Sequence, residues 1–312
     1  MKTIKFFAYS LMITSGIVLT SCGSDDDGDG GEPLPPIGGY NSADEVGAAD
    51  LLAYFPLNAD GKESISGTMP SNSVGATYAA GAKGNGLMLT NGYVDYPAIP
   101  AIQPTTGNFT VSCWAKVSNT KTAPDAESWI SPLISFSGAE SVVGNLAIFG
   151  NTHGLTSSDS IQMKAQYFFK NPEGTGFGGD AVNMTKMEQW MIDDNANGVQ
   201  PQHAAFANKI GGQWAHVVFT WEGATGTARL YVNGTKISNP AWEVRFQGNA
   251  MPMAFFTPSR VTLGALASFV DGTNSDAWNK PLTGGLDEVR IWKKMLSSAD
   301  INSLYELEKA GR

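Results

Sequence analysis

The sequence predicts an all-β chain, an antiparallel two-sheet sandwich or barrel closed by a short C-terminal helix. Three observations carry that reading. Short segments alternate apolar and polar residues: Phe109, Val111, Cys113, Ala115 and Val117 share one face of a strand, and Thr110, Ser112, Trp114 and Lys116 share the other. Asn-Gly pairs at Asn91-Gly92 and Asn233-Gly234 interrupt the strand segments where hairpin turns are needed. Strand and helix patterns do not alternate along the chain, which excludes doubly wound and barrel α/β architectures. The composition agrees: 312 residues with 36 Gly, 42% hydrophobic and only 16% charged, enough to bury a full core.

The chain opens with Lys2 and Lys5, continues through an apolar run from Phe6 to Thr20 and ends that run at Leu19-Thr20-Ser21-Cys22. A basic start, a run too short to span a bilayer and small residues before a cut describe an export signal over residues 1–21. The Leu-Thr-Ser-Cys ending resembles a bacterial lipobox, which implies cleavage before Cys22 and acylation of that residue. The alternative is an ordinary secretion signal followed by a chance cysteine. Residues 22–41 hold Asp25, Asp26, Asp27 and Asp29, then Pro33, Pro35 and Pro36, and read as a solvated, self-repelling tether. An acidic run after a lipidated cysteine also resembles the export signal of surface-displayed lipoproteins of glycan-scavenging Gram-negative bacteria. The formal charge of −9 argues against nucleic acid or an anionic membrane surface as partner. Of the 2 cysteines, Cys113 has no partner once Cys22 is lipidated and reads as an apolar core filler.

Residues 42–312 form the folded domain in this reading. Ser42 and Glu45 have capping-box spacing for a short helical turn. Strands are expected at 51–57, at 87–89 and 93–96 around an Asn91-Gly92 hairpin, and at 109–117, 133–136, 145–149 and 162–169. The clearest pair follows: Trp214 to Trp221, then Arg229 to Val232, turned by Asn233-Gly234 into Thr235-Lys-Ile. Segments 260–266 and 286–292 complete the set. Asn183–Met191 suggests a short helix inside a long insertion at 171–209. Ser297–Glu308 is the stronger helix, with Ser297 and Asp300 as its cap and Ile301, Leu304 and Tyr305 on one face.

Several blocks resemble a known family. Ala53-Tyr-Phe-Pro-Leu-Asn58, Gly86-Leu-Met-Leu with Tyr93-Val-Asp, and Phe109-Thr-Val-Ser-Cys-Trp-Ala are similar to the opening strands of concanavalin A-like, laminin G-type jelly rolls. Trp214-Ala-His-Val-Val-Phe-Thr-Trp, then Ala228-Arg-Leu-Tyr-Val-Asn-Gly234, resemble a paired motif of that family. Gly285-Leu-Asp-Glu-Val-Arg-Ile-Trp292 resembles its closing strand. The blocks occur in family order. The resemblance implies two stacked antiparallel sheets, a jelly-roll sandwich, with the 171–209 insertion and a Trp/Phe-containing stretch at 240–256 as departures.

It also implies chemistry. Hydrolases of this fold carry paired carboxylates on one strand, which glycoside hydrolysis needs. No such motif is present: Asp125 and Glu127 lie in a polar loop, Asp193 and Asp194 are adjacent, and Glu288 alternates with Arg290 as a structural pair. His216 sits within a strand and reads as packed; His153 and His203 are isolated. The chain is therefore expected not to be an enzyme. The family often binds one structural calcium. Asn58, Asp60 and Asp287 fall where the matching motif places oxygen ligands, with Glu63 as a substitute acid; the alternative is a turn residue and a salt-bridged acid. Four tryptophans in expected loops, Trp129, Trp190, Trp242 and Trp278, each have polar neighbours, the mixture a sugar site requires. The functional expectation is a lipid-anchored outer-membrane protein that binds extracellular glycan without catalysis, beside a glycan transporter. An adhesin for protein or host matrix and a cryptic glycoside hydrolase are the alternatives.

Overall fold

The computed structural model describes residues 33–103, 107–117, 129–151, 162–183, 211–238 and 243–312. The signal segment, Cys22, Trp190, Trp242, Asp125, Glu127, Asp193, Asp194, His153, His203 and most of the expected 183–191 helix lie outside them.

Thirteen strands are described: β1 Leu51–Phe55, β2 Asn72–Ala80, β3 Asn85–Asp95, β4 Phe109–Lys116, β5 Ser131–Phe136, β6 Leu146–Asn151, β7 Gln162–Lys170, β8 Gly176–Asn183, β9 Trp214–Glu222, β10 Thr227–Val232, β11 Thr235–Lys236, β12 Val261–Leu263 and β13 Leu282–Trp292. Two helices join them, α1 Ala267–Val270 and α2 Ser298–Lys309. The strands pair antiparallel in the order β11-β10-β9-β4-β13-β3-β12-β5-β6-β7-β8, with β1 also on β13 and β2 also on β3. This ribbon curls so that its halves face each other. Phe109 of β4 meets Phe136 of β5 at 5.6 Å, and Trp221 of β9 meets Tyr167 and Phe169 of β7, both at 5.1 Å. The result is a two-sheet jelly roll around one core.

Period-two alternation builds that core and both outer faces. In β4, Phe109, Val111, Cys113 and Ala115 point inward; in β9, Ala215, Val217, Phe219 and Trp221; in β10, Ala228, Leu230 and Val232. In β7, Met163, Ala165, Tyr167 and Phe169 do the same, which leaves Lys164 and Gln166 on the outside. Cys113 is 1% exposed, and burial pushes its thiol up to about 12, so it is an inert filler.

Two expectations are corrected. Asn91-Gly92 does not turn a hairpin: β3 runs straight through it. Asn91 takes a left-handed φ of 47°, and the pairing slips beside it on both neighbouring strands, so the pair is a bulge. Beyond the bulge β3 leaves β13 and pairs with β12, which carries the ribbon from one sheet into the other. A side chain at position 92 would collide with the Val74 carbonyl oxygen, so only glycine fits this close approach. Secondly, β8 occupies the start of the 171–209 stretch read as an insertion, and Asn183 ends that strand rather than starting a helix.

The outer face of the first sheet is covered. α2 starts at the expected capping box, with Ser297 accepting from the Asp300 amide, and lays Ile301, Leu304 and Leu307 on Val218, Tyr231 and Trp292. The 3-10 turn Ala43–Glu45 adds Ala43 and Val46 to the same cluster. The Ser42 side chain makes no cap there; Glu45 instead accepts from the Asn41 amide at 2.7 Å.

Candidate functional site on the open face

The outer face of the second sheet is where two of the expected tryptophans meet. In β6, Leu146 and Ile148 enter the main core, so Ala147 and Phe149 face outward. They pack with Ile130, Val143 and Leu266 into a small second cluster, with Trp278 against it. Above this floor lies a cavity of about 350 Å³, lined by Trp129, Trp278, Phe149, Lys164 and Gln166, with Ile130 and Val143 at its base. The volume lies in the range of small-ligand sites.

Each wall is held by identifiable bonds. Trp129 precedes β5, and the neighbouring Ile130 amide donates to the Trp278 carbonyl at 3.1 Å, which ties the two aromatic walls together. The Trp278 indole N–H donates to Asp276 Oδ2 at 3.0 Å, and Asn274 donates to the same oxygen at 3.0 Å. The indole's single donor is thereby used to set the ring, and its apolar face remains for contact. Lys164 Nζ stands 5.7 Å from the centre of the Phe149 ring. Trp129 is 36% exposed, large for a tryptophan beside an apolar floor. Aromatic faces with an ammonium and an amide beside them match the two surfaces of a sugar, its C–H face and its hydroxyl rim. Among the described residues the lining holds no carboxylate.

The four other tryptophans lie in strands. Trp221 and Trp292 are fully buried, Trp214 starts β9, and Trp114 lies under α2. Trp114 belongs to a buried polar cluster absent from the sequence reading. Its indole N–H donates to Glu308 Oε2 at 2.8 Å, and its ring stacks on Tyr305. Arg290 Nε donates to Glu308 Oε1 at 3.0 Å, and Arg290 Nη2 bridges Glu288 and Asp44, both at 2.9 Å. The expected Glu288–Arg290 pair is thus present. Burial drives Glu308 up to about 8 against the pull of Arg290. Burial, with Arg290 nearby, lowers His216 to about 3, so this histidine is neutral and packed; neither of its ring nitrogens has a hydrogen-bond partner. These groups hold a helix to a sheet.

The oxygen-bearing residues near the chain ends are placed as follows. Asp287 is fully buried on β13; Oδ2 accepts from the Ala82 and Lys83 amides at 2.8 and 2.9 Å, and Oδ1 from the Glu288 amide at 2.9 Å. Desolvation, reinforced by Glu288 and offset by those amides, lifts it to about 7. Asn58 reaches the other end of the same loop, accepting from the Asn85 amide at 3.2 Å. Asp60 accepts from the Lys62 amide at 3.0 Å and shares a shallow 270 Å³ hollow with Asn58. Glu63 is saturated by the Tyr54, Ile65 and Ser66 amides. Asn58 and Asp287 therefore share the 81–85 loop. Among the described residues no three acidic, histidine or cysteine side chains converge as a metal cluster. A calcium at this end fits by donor type but would take most of its six to eight oxygens from Asn58, backbone carbonyls and water.

Residues 156–302, just under half of the chain, match a family model described as the concanavalin A-like lectin/glucanases superfamily. The fold is concanavalin A-like. Solved structures that align at a TM-score of 0.50 or more agree on that fold. The binding domain of botulinum neurotoxin serotype G aligns with a TM-score of 0.54 at 10% identity, over 83% of this chain and 51% of that one. A Trypanosoma rangeli sialidase mutant displaying trans-sialidase activity aligns at 0.50 and 14% identity, over 83% of this chain and 33% of that one. Domain 4 of the extracellular arabinanase AbnA from Geobacillus stearothermophilus, solved with arabinotriose, aligns at 0.47 and 18% identity, over 82% of this chain and 98% of that one. The chain thus spans about a third of the sialidase and half of the neurotoxin domain. No curated protein matches the sequence. Concanavalin A-like domains occur both as binding modules and within hydrolases, so the fold alone does not assign a role.

Proposed function

We propose that this chain is a non-catalytic glycan-binding module, anchored by a lipid on Cys22 to the outer membrane and displayed at the cell surface beside a glycan importer. One observation carries the binding part: Trp129 and Trp278, far apart in sequence, converge with Phe149, Lys164 and Gln166 around one 350 Å³ cavity. The superfamily match supports the choice of glycan. A lining with an ammonium and an amide but no carboxylate among the described residues favours binding over hydrolysis, which needs a carboxylate pair. The anchor rests on Leu19-Thr20-Ser21-Cys22 and the acidic run that follows it.

The test is electrophoresis of the full chain through gels containing neutral polysaccharides. Saturable retardation by one polysaccharide, lost in Trp129→Ala and Trp278→Ala, is expected. Migration unchanged in every gel overturns the glycan reading and moves the question to protein ligands. Metabolic labelling with a palmitate analogue tests the anchor: label is expected on the wild type and absent from Cys22→Ser.

Calcium belongs to the same proposal as a structural ion at the Asn58–Asp60 turn. EGTA is expected to lower the melting temperature of the wild type and to leave Asp60→Ala unmoved. A wild-type melting curve that ignores EGTA removes calcium from the account.

A further inference from the structure

A second cavity lies beside the tryptophan site. It has a volume of about 480 Å³ and is lined by Ser137, Ser141, Arg260, Ser268, Asp271 and Thr273, with Val142 at its edge. The two cavities share a wall. Val142 lines one and its neighbour Val143 the other. Behind them, Leu266 packs into the floor of the tryptophan site, while Ala267 and Ser268 line the second cavity. Asn279 fixes the join: its side-chain amide donates to Asn274 Oδ1 at 2.9 Å and to Ser268 Oγ at 3.4 Å, and the next residue back is Trp278. Ser268 Oγ in turn donates to the Val142 carbonyl at 2.6 Å. One hydrogen-bonded scaffold therefore shapes both cavities.

The chemistry of the second cavity differs from that of the first. Among the described residues it has no aromatic wall. Its charged groups are Arg260 and Asp271: Arg260 donates through Nε to Asp95 at 3.0 Å and through Nη2 to Asp271 at 2.6 Å. Two carboxylates face one guanidinium, so an anionic ligand meets net repulsion there. Hydroxyls of Ser141 and Thr273 and a half-open ion pair offer donors and acceptors to a neutral, hydroxyl-rich group. An aromatic platform beside a polar cup suits consecutive residues of one sugar chain.

We propose that the Arg260–Asp271 cavity is a second sugar subsite, so that the protein takes a linear, uncharged glycan across the Val142–Val143 ridge rather than a single terminal sugar. This rests on the glycan reading above and extends it to ligand length and charge.

Calorimetry on the full chain tests it with neutral gluco-, manno-, xylo- and arabino-oligosaccharides of three and six units, and with hexagalacturonate as the charged probe. Asp271→Ala and Thr273→Lys alter exposed positions of the second cavity and leave the core untouched. For the neutral series that binds, both variants are expected to weaken the six-unit ligand by about tenfold, a difference of ~1.4 kcal/mol, and to leave the three-unit ligand unchanged. Trp129→Ala and Trp278→Ala are expected to weaken both lengths. Six-unit binding that survives Asp271→Ala and Thr273→Lys but not Trp278→Ala overturns the second subsite and leaves the glycan reading standing. Hexagalacturonate binding as tight as the neutral chain overturns the uncharged assignment. Binding of neither length, or binding indifferent to the tryptophans, overturns both readings.

Discussion

The two outer faces of this sandwich are built by the same alternation and end in opposite states. On the first sheet, Trp114, His216, Val218, Tyr231 and Arg290 point outward and are covered by α2. On the second, Phe149, Lys164 and Gln166 point outward and line a cavity with Trp129 and Trp278. A tryptophan next to charged residues is therefore not a ligand site in itself. Trp114 has its indole N–H on Glu308 and its ring on Tyr305, so both of its surfaces are engaged. Trp278 has its N–H on Asp276 and packs against the apolar floor, and it keeps a ring face toward the cavity. What separates a structural face from a binding face here is whether another element of the same chain covers it.

The comparison can be broken most forcefully at Glu308. Glu308→Ala removes the acceptor of Arg290 Nε and of the Trp114 indole in a fully buried site. Loss of one partner from such a cluster costs about 3–5 kcal/mol, and urea unfolding is expected to report a loss of that size. A change below about 1 kcal/mol, within the usual worth of an exposed ion pair, would show that the covered face does not depend on the cluster.

Trp129→Ala and Trp278→Ala sharpen the contrast from the other side. Each is expected to weaken glycan retention about tenfold or more while moving unfolding free energy by less than ~1 kcal/mol. The same truncation at Trp114 is expected to do the reverse, with a loss of about 3–5 kcal/mol and retention unchanged in whatever fraction stays folded.

A smaller effect separates the faces by pH. Glu308 at about 8 and Asp287 at about 7 are acids raised above their ordinary values, so the folded chain holds protons that the unfolded chain has released. Stability then falls as pH rises through that window. His216, lowered to about 3, acts in the opposite sense, but only below its ordinary 6.5. Between pH 6.5 and 8 the acids act alone, and stability is expected to drop by on the order of 1 kcal/mol. Glu308→Gln is expected to flatten that slope without altering glycan retention at any pH in the window. A slope left as steep as in the wild type would take Glu308 out of the titration.

Much of this was legible in the sequence. The strands β4, β9 and β10 announced themselves because each sends apolar residues inward at strict period two, β13 does so on either side of a bulge at Glu288, and the capping box of α2 was readable from Ser297 and Asp300. β2 was not, because Asn72–Ala80 is an exposed edge strand of small and polar residues with no buried face to set a period. Asn91-Gly92 was misread because the left-handed φ that makes a two-residue turn also makes a bulge; only the neighbouring strands, β2 and β13, distinguish them. Of the site, Trp129 and Trp278 were marked as polar-flanked loop tryptophans, but their convergence depends on the 264–281 segment crossing the second sheet. Phe149, Lys164 and Gln166 were missed because alternation assigns them to an outer face without saying which outer face is covered. Glu308 was missed because, at the end of an amphipathic helix, it looks like a solvated residue.

The most direct test of the central claim is a paired measurement on the wild type, Trp278→Ala and Glu308→Ala: retention in the polysaccharide gel that holds the wild type, and unfolding in urea. The account predicts that Trp278→Ala loses retention and keeps stability, while Glu308→Ala loses stability and keeps retention. Full retention in folded Trp278→Ala, or loss of retention in folded Glu308→Ala, would contradict the assignment of binding to the open face and support to the covered one.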